Sequence, residues 1–182
     1  MGHKCVLVDD TMEPAPVLDL DASLFEAFAA VSRNDAVLIQ SPKKRICGIV
    51  TAYDVSETFG TLVEPFLLIE EVEKHVRAIL QDHVVEAELM EAVSIKKAAD
   101  SKAKISDLNF GGYILLLKKV EVWNRLGLNL EQAVFVQSHI GVKATRNDVM
   151  HFRPTGIGVQ KLAKLRNFAK CLREIRLLKK LK

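Results

Sequence analysis

The spacing of hydrophobic residues divides the chain into a mixed N-terminal part and a helical remainder. Residues 19–31, DLDASLFEAFAAV, have apolar positions at helical spacing after a capping candidate at Asp21. Two short apolar runs, AVLIQ (36–40) and RICGIVT (45–51), flank the turn SPKKR and predict a β-hairpin. AYDVSETF (52–59) then returns to a helical pattern. The N-terminal part therefore predicts an α+β unit in the order helix, strand, strand, helix.

From Thr61 onward, the pattern predicts helices throughout. PFLLIEEVEKHVRAIL (65–80) is amphipathic, and Pro65 suits the first turn of a helix. Its expected buried stripe consists of Phe66, Ile69, Val72, Val76, Ile79 and Leu80. Further helices are predicted over 86–99, over 105–120 with a cap at Asp107, over 129–152 and over 159–180. We expect this part to be an all-α bundle.

Composition narrows the class of protein. The 182 residues are 49% hydrophobic, which is enough for a substantial core, and charges interrupt every apolar run before it reaches membrane-spanning length. The start MGHKC has no hydrophobic signal segment. The three cysteines, Cys5, Cys47 and Cys171, are far apart and predict neither a disulfide framework nor a zinc site. The prediction is a cytoplasmic protein without a membrane association or a metal site.

Charge is unevenly distributed along the chain. The segment Lys143–Lys182 has 12 Lys and Arg residues and two acidic residues, a net charge of +10. Residues 1–142 have 14 basic and 21 acidic residues, a net charge of −7. Such asymmetry favours an anionic partner for the C-terminal part, although a solvated helix face would give the same pattern.

The stretch GIVTAYD (48–54) lies where the second predicted strand meets the following helix. The Asp54 carboxylate could accept hydrogen bonds from a ribose diol, and the Thr51 hydroxyl could donate or accept one. Gly48 would allow a ligand or a neighbouring strand to approach closely. The alternative is local, because Thr51 and Asp54 have the three-residue spacing of a capping box.

Residues 11–55 resemble a CBS unit. The shared features are a Met-x-x-x-Pro-Val start, the helix, the hairpin, and a closing Gly-hydrophobic-x-Thr-x-x-Asp motif. The resemblance implies a CBS domain over about 5–60 that binds an adenine nucleotide (ATP, ADP or AMP) through Thr51, Asp54 and Gly48. CBS units normally work in pairs, and this chain shows one, so the resemblance implies that either a second chain or a further CBS unit upstream of this sequence completes the site.

The stretch ATRNDVMHFRP (144–154) brings an arginine, an asparagine and a histidine close together. On a helix, Asn147 and His151 share a face, and the long side chain of Arg146 can reach it. A histidine can transfer a proton, and an arginine can stabilise charge on a phosphate without a metal. The alternative is a polar helix end that stops near Pro154.

Residues 62–176 resemble a HEPN domain, an all-α fold related to ribonucleases. The resemblance rests on PFLLIEEVEKHVRAIL, on DLNFGGYILLLKKVEVWNRLGL, and on RNDVMHF, which matches the family pattern of Arg, four to six residues, then His. It implies a HEPN domain over about 61–182 that acts as a homodimer. The implied catalytic residues of a metal-independent endoribonuclease are Arg146, Asn147 and His151, with no required cofactor.

Together the two resemblances predict a nucleotide-responsive RNA-processing protein, used in stress or phage defence. If RNA is the substrate, the basic segment should hold its phosphates through Lys161, Lys164 and Lys170. The alternative is a non-enzymatic module that senses an adenine nucleotide and signals through dimerisation.

The sequence also predicts the surroundings of four side chains outside these motifs. His75 is expected to face solvent, and Cys47 to be a buried, inert thiol. Trp123 is expected in the core or at an interface. His139 is expected to be structural or to line the same groove as the motif.

Overall fold

The computed structural model describes residues 13–93, 104–151 and 157–180, without the side chains of the last two residues. The described part of the chain forms two compact units, which divide between Leu62 and Val63.

Several sequence predictions fall on residues outside those ranges. They are the first residues of the predicted 5–60 domain, the end of the helix expected over 86–99, and the stretch 152–156 that includes Pro154.

A three-stranded sheet forms the centre of the N-terminal unit. Its strands are β1 (Val17–Asp19), β2 (Ala36–Gln40) and β3 (Ile46–Thr51), with β1 parallel to β2 and β2 antiparallel to β3. Helix α1 (Leu24–Asn34) makes the crossover that two parallel strands require. The hairpin expected over 36–51 is confirmed, and β1 is an additional strand that the hydrophobic pattern did not predict.

The start of α1 corrects a capping prediction. Ser23, not Asp21, is the N-cap: its Oγ accepts from the Glu26 backbone N–H at 3.2 Å, and Glu26 Oε2 accepts from the Ser23 N–H at 2.7 Å. This reciprocal pair needs a carboxylate three residues after the cap. The residue three positions after Asp21 is a leucine, whose side chain cannot accept a hydrogen bond from the backbone N–H of the cap residue.

Helix α2 (Ala52–Leu80) is continuous over 29 residues, although the sequence predicted two helices. Pro65 lies inside it and not in a first turn, so that prediction was wrong. A proline has no backbone N–H, so the carbonyl of Thr61 lacks the donor that a helix normally supplies four residues later. The division between the two units falls inside this helix, one turn before the proline.

Every regular element described after Val63 is helical. The helices that follow α2 are α3 (Glu86–Ala92), α4 (Phe110–Lys118), α5 (Val120–Leu126), α6 (Gln132–Met150) and α7 (Val159–Lys180), with a 3₁₀ turn at Ile105–Asp107. Their shared core contains the predicted α2 stripe except Phe66, which is 37% exposed. Trp123 is buried in this core, as expected.

The start of α4 depends on a tight contact with α3. Asn109 is the N-cap, and its Oδ1 accepts from the Gly112 backbone N–H at 3.0 Å. The predicted cap, Asp107, belongs to the 3₁₀ turn instead, where its carboxylate accepts from the Lys104 N–H at 2.9 Å. A Cβ on Gly112 would lie 2.9 Å from the Ala92 carbonyl oxygen, so only glycine allows this approach.

We therefore expect Gly112→Ala to lower the free energy of unfolding by about 1–3 kcal/mol, because the clash is with backbone. Gly141→Ala is the matched control: a Cβ there meets no described heavy atom within 4 Å outside its own helix, and it should stabilise the fold by about 0.5–1 kcal/mol. Urea unfolding of both variants measures the difference. Equal midpoints would show that α3 and α4 are not this close.

A row of ion pairs aligns α7 with α2 in the helical unit. Arg166 binds Glu64 through two contacts of 2.6 Å, and Arg173 Nε binds Glu71 at 2.8 Å. From the first ion pair to the second, the residue number increases by seven on each helix, so the two helices run parallel. One turn further, Arg176 Nη1 lies 3.1 Å from His75 Nδ1. The side chain of His75 is 13% exposed, so the expectation that it faces solvent was wrong.

Candidate functional site

The Arg-Asn-His motif lies at the C-terminal end of α6. Arg146 and Asn147 are in its last turns, and the helix ends at Met150, so that His151 follows it as the C-cap residue. The His151 backbone N–H donates to the Asn147 carbonyl at 3.0 Å. Arg146 is half-buried, whereas the side chains of Asn147 and His151 are exposed. The motif is therefore accessible from solvent.

Arg146 and Asn147 touch each other. Arg146 Nη1 donates to Asn147 Oδ1 at 3.4 Å, a long hydrogen bond. His151 lies five residues beyond Arg146, about 7.5 Å along a helix axis. At about 100° per residue, five residues also separate the two positions by about 140° around the helix, so a shared phosphate contact requires the full length of the arginine side chain.

Asp148 is engaged on a different side of the same helix end. Its Oδ2 accepts from Lys161 Nζ at 2.6 Å, and the carboxylate is only 11% exposed. This ion pair connects the end of α6 to the first turn of α7.

A groove of about 1180 Å³ runs between α6 and α7. Val142, Leu165 and Phe168 contribute apolar surface, and Ser138 and Asn167 contribute polar atoms. The groove reaches Thr145, the residue before Arg146, but the three motif side chains are not among those that line it.

The structure separates the three lysines predicted to bind RNA. Lys161 and Lys164 border the groove, whereas Lys170 lies nine residues from Lys161, about 13.5 Å along α7, and is not part of the lining. All three are exposed, and Lys161 is paired with Asp148. The basic segment is thus partly neutralised by its own protein, through Lys161 and through the arginines that bind α2.

Thr51 and Asp54 are hydrogen-bonded to each other at the start of α2. Asp54 Oδ2 accepts from the Thr51 hydroxyl at 2.6 Å and from the Thr51 backbone N–H at 2.8 Å. These two hydrogen bonds hold the pKa of the Asp54 carboxyl below its ordinary value. The geometry is that of the capping box, the local alternative that the spacing allowed. Both bonds use the same oxygen, so a ribose hydroxyl would have to bind Oδ1.

Two other residues of the N-terminal unit differ from expectation. A Cβ on Gly48 would lie 3.9 Å from the Ile39 Cβ, an ordinary contact, so strand pairing does not require this glycine. Close approach of a ligand remains the prediction for it. Cys47 is exposed and not buried; its Sγ lies 3.4 Å from the Ile39 carbonyl oxygen.

A fully buried histidine stands out in the helical core. His139 on α6 has no exposed surface, and neither of its ring nitrogens has a hydrogen-bond partner among the described residues. Its ring stacks on Phe110 with 5.4 Å between centroids. Burial lowers its pKa from 6.5 to about 4, so the imidazole is neutral. It belongs to the core and does not line the groove; its helical spacing from Phe135, Val136 and Val142 was the available sequence signal.

Within the ranges that the structure describes, no group of three or more His, Cys, Asp or Glu side chains is arranged to hold a metal ion. In the same ranges, no helix combines the length and the apolar character needed to cross a membrane.

Comparison with protein families, with curated proteins and with solved structures gave no match for this chain. The CBS and HEPN resemblances therefore remain predictions that rest on the sequence motifs alone.

Proposed function

We propose that this protein is a metal-independent endoribonuclease whose activity responds to an adenine nucleotide. The observation that carries the proposal is the contact between the half-buried Arg146 guanidinium and the exposed Asn147 amide in the last turns of α6, with exposed His151 following as the C-cap residue. These are the side-chain types that phosphoryl transfer to a ribose 2′-hydroxyl can use without a metal. The proposed role in stress or phage defence follows from the predicted pairing of CBS and HEPN domains.

In the proposed reaction, His151 accepts the proton of a ribose 2′-hydroxyl while the 2′-oxygen attacks the adjacent phosphorus. The bond from phosphorus to the 5′-oxygen breaks, the leaving oxygen takes a proton from water, and protonated His151 returns its proton to the solvent. Arg146 donates to the phosphate oxygens as their charge grows, and Asn147 orients the guanidinium. The products are a 2′,3′-cyclic phosphate and a 5′-hydroxyl. Incubating the purified protein with mixed RNAs, with and without EDTA, and identifying these termini tests the proposal.

RNA binding would fall mainly to the basic side chains that the protein leaves accessible. Lys164 and Lys170 are exposed on α7, and Lys161 would exchange its contact with Asp148 for a phosphate. Arg166 and Arg173 are engaged with α2 and are assigned to the fold. The proposal therefore needs fewer phosphate contacts than the net charge of the segment suggests.

A second candidate function is a non-enzymatic dimerisation module that senses an adenine nucleotide. The observation that favours it is the small core of the N-terminal unit, where Val31, Val37 and Val55 are the described hydrophobic residues that are buried. Large apolar side chains remain exposed around it, among them Phe25 (80%), Tyr53 (72%), Ile49 (60%) and Phe28 (52%). Such a surface favours pairing with a second copy of the unit, as the proposed homodimer requires.

Asp54→Ala is expected to weaken adenine-nucleotide binding by at least about tenfold, because the ribose loses its carboxylate acceptor. Asp54→Asn keeps an oxygen for the helix cap and separates the loss of the cap from the loss of the charge. Titration calorimetry with ATP, ADP and AMP gives the affinities, and light scattering at the same concentrations gives the mass. Absence of nucleotide binding by the wild-type protein would contradict the ligand proposal and leave dimerisation alone.

A further inference from the structure

Helices α6 and α7 run antiparallel along the groove between them. The ion pair of Asp148 with Lys161 joins the end of α6 to the first turn of α7. Phe135, in the first turn of α6, packs on Phe168 further along α7, with 5.2 Å between the ring centroids. The groove therefore has two distinct ends, one beside the Arg-Asn-His motif and one at the start of α6.

The two ends of the groove carry opposite charges. Lys164 borders the end beside the motif, where Thr145 is the last α6 residue of the lining, and Glu131 borders the end at the start of α6. Glu131 and Thr145 are about 21 Å apart along the helix axis. Both charged side chains are exposed, and neither makes an ion pair with another residue that the structure describes. Each charge is thus available to a partner.

Apolar surface lies between these two charges. Val134 and Leu130 border the groove and are 59% and 43% exposed, whereas Val142 and Leu165 are buried below them. A groove with apolar walls and charged ends is typical of a surface that receives an amphipathic helix.

A second copy of α6 has the charge pattern that this groove requires. In an antiparallel pair with its twofold axis near Ser138, midway between Glu131 and Thr145, Glu131 of each copy reaches the end bordered by Lys164 of the other. The same contact forms twice, and Val134 of each copy is covered. A parallel pair would instead place like charges together at both ends, which is unfavourable.

We propose that two copies of this chain associate through the groove between α6 and α7, with their α6 helices antiparallel. The inference rests on the homodimer of the proposed function and names a surface for it in the helical unit, whereas the cleavage chemistry is independent of it. The two Arg-Asn-His motifs then lie at opposite ends of the interface, so each motif is formed by one chain. An RNA phosphate and Glu131 of the second copy compete for Lys164.

The test is a charge exchange, measured by sedimentation equilibrium of the full chain at low salt. Glu131→Lys and Lys164→Glu each bring like charges together at both contacts, so each is expected to weaken self-association by at least about tenfold. The double variant exchanges the charges and should regain the wild-type affinity to within about threefold. Glu121→Lys and Lys170→Glu are matched controls, since both residues are exposed outside the groove.

Val134→Gln removes apolar contact without a change of charge, so it should also weaken association and serves if a charge variant does not fold. A wild-type protein that stays monomeric at high micromolar concentration would overturn the inference. Equal dimer affinity in the groove variants and the controls would also overturn it, and would assign dimerisation to the N-terminal unit.

Recovery in the double variant decides the orientation of the two helices. If both single variants weaken association and the double variant does not recover, Glu131 and Lys164 do not meet, and the antiparallel pairing is wrong. RNA cleavage by the same proteins is measured separately, so a failure of the proposed ribonuclease activity is distinguishable from a failure of this interface.

Discussion

Replacing His151 with alanine is expected to slow RNA cleavage by about 10²–10⁴-fold while leaving RNA affinity nearly unchanged. The reason is that a group which transfers a proton acts in the transition state and contributes little to ground-state binding. His151 is exposed at the end of α6, so its removal leaves no cavity in the core. Single-turnover cleavage and anisotropy on the same RNA measure the two quantities.

Two further variants serve as comparisons for His151→Ala. Arg146→Ala should reduce both cleavage and binding, because its guanidinium contacts phosphate before and during the reaction. His83→Ala is the matched histidine control and should cleave at the wild-type rate, since His83 lies in the turn that follows α2, outside the motif. Cleavage by His151→Ala at the wild-type rate would assign the activity to other residues or to a contaminant.

Replacing His139 with phenylalanine is expected to make the fold far less sensitive to acid. The pKa of the wild-type imidazole is about 4 in the folded protein and has its ordinary value of 6.5 in the unfolded chain. Between these values the unfolded state holds more protons, so wild-type stability falls as the pH drops below 6.5 and levels off below about 4. The pKa difference corresponds to about 3 kcal/mol of lost stability at the acid end.

The His139→Phe variant has no group that titrates at this position, so its free energy of unfolding should not show this decrease at acidic pH. Near neutral pH it should be as stable as the wild type or more stable, because the unpaired imidazole nitrogens are removed from the core. Urea unfolding at about pH 7.5 and about pH 4.5 measures both effects. His139→Leu serves as a second variant in case the phenylalanine ring is too large for the site. Equal acid losses in the wild type and both variants would show that His139 is not buried without partners.

The sequence pattern predicted elements where periodicity is long and missed those that depend on context. The hairpin of β2 and β3 and the helices α6 and α7 were predicted because their apolar positions repeat, whereas the single helix predicted over 105–120 is a 3₁₀ turn followed by α4, and α5 was not predicted. Strand β1 was missed because three residues after Pro16 are too short to show alternation. Pro65 was assigned to a helix start, the commonest position for proline in helices, but Pro65 is buried and α2 continues through it, with the predicted stripe packed in the core on its C-terminal side only.

The candidate site was predictable in its residues but not in its surroundings. The pattern of Arg146, Asn147 and His151 identified the motif, and a helical projection placed them near one another. The ion pair of Lys161 with Asp148 and the groove between α6 and α7 each combine two separate helices. No local pattern encodes contacts of that kind, because they depend on how the helices pack.

The most direct measurement of the central claim compares an RNA with the same strand carrying a single 2′-deoxy nucleotide at the cleavage site, both in excess EDTA. The proposed chemistry predicts that the wild-type protein cleaves the RNA with the chelator present and leaves the deoxy-substituted bond intact, because His151 has no hydroxyl there to deprotonate. Failure to cleave the RNA in EDTA, or equal cleavage of both strands, would contradict a metal-independent endoribonuclease that uses the ribose hydroxyl.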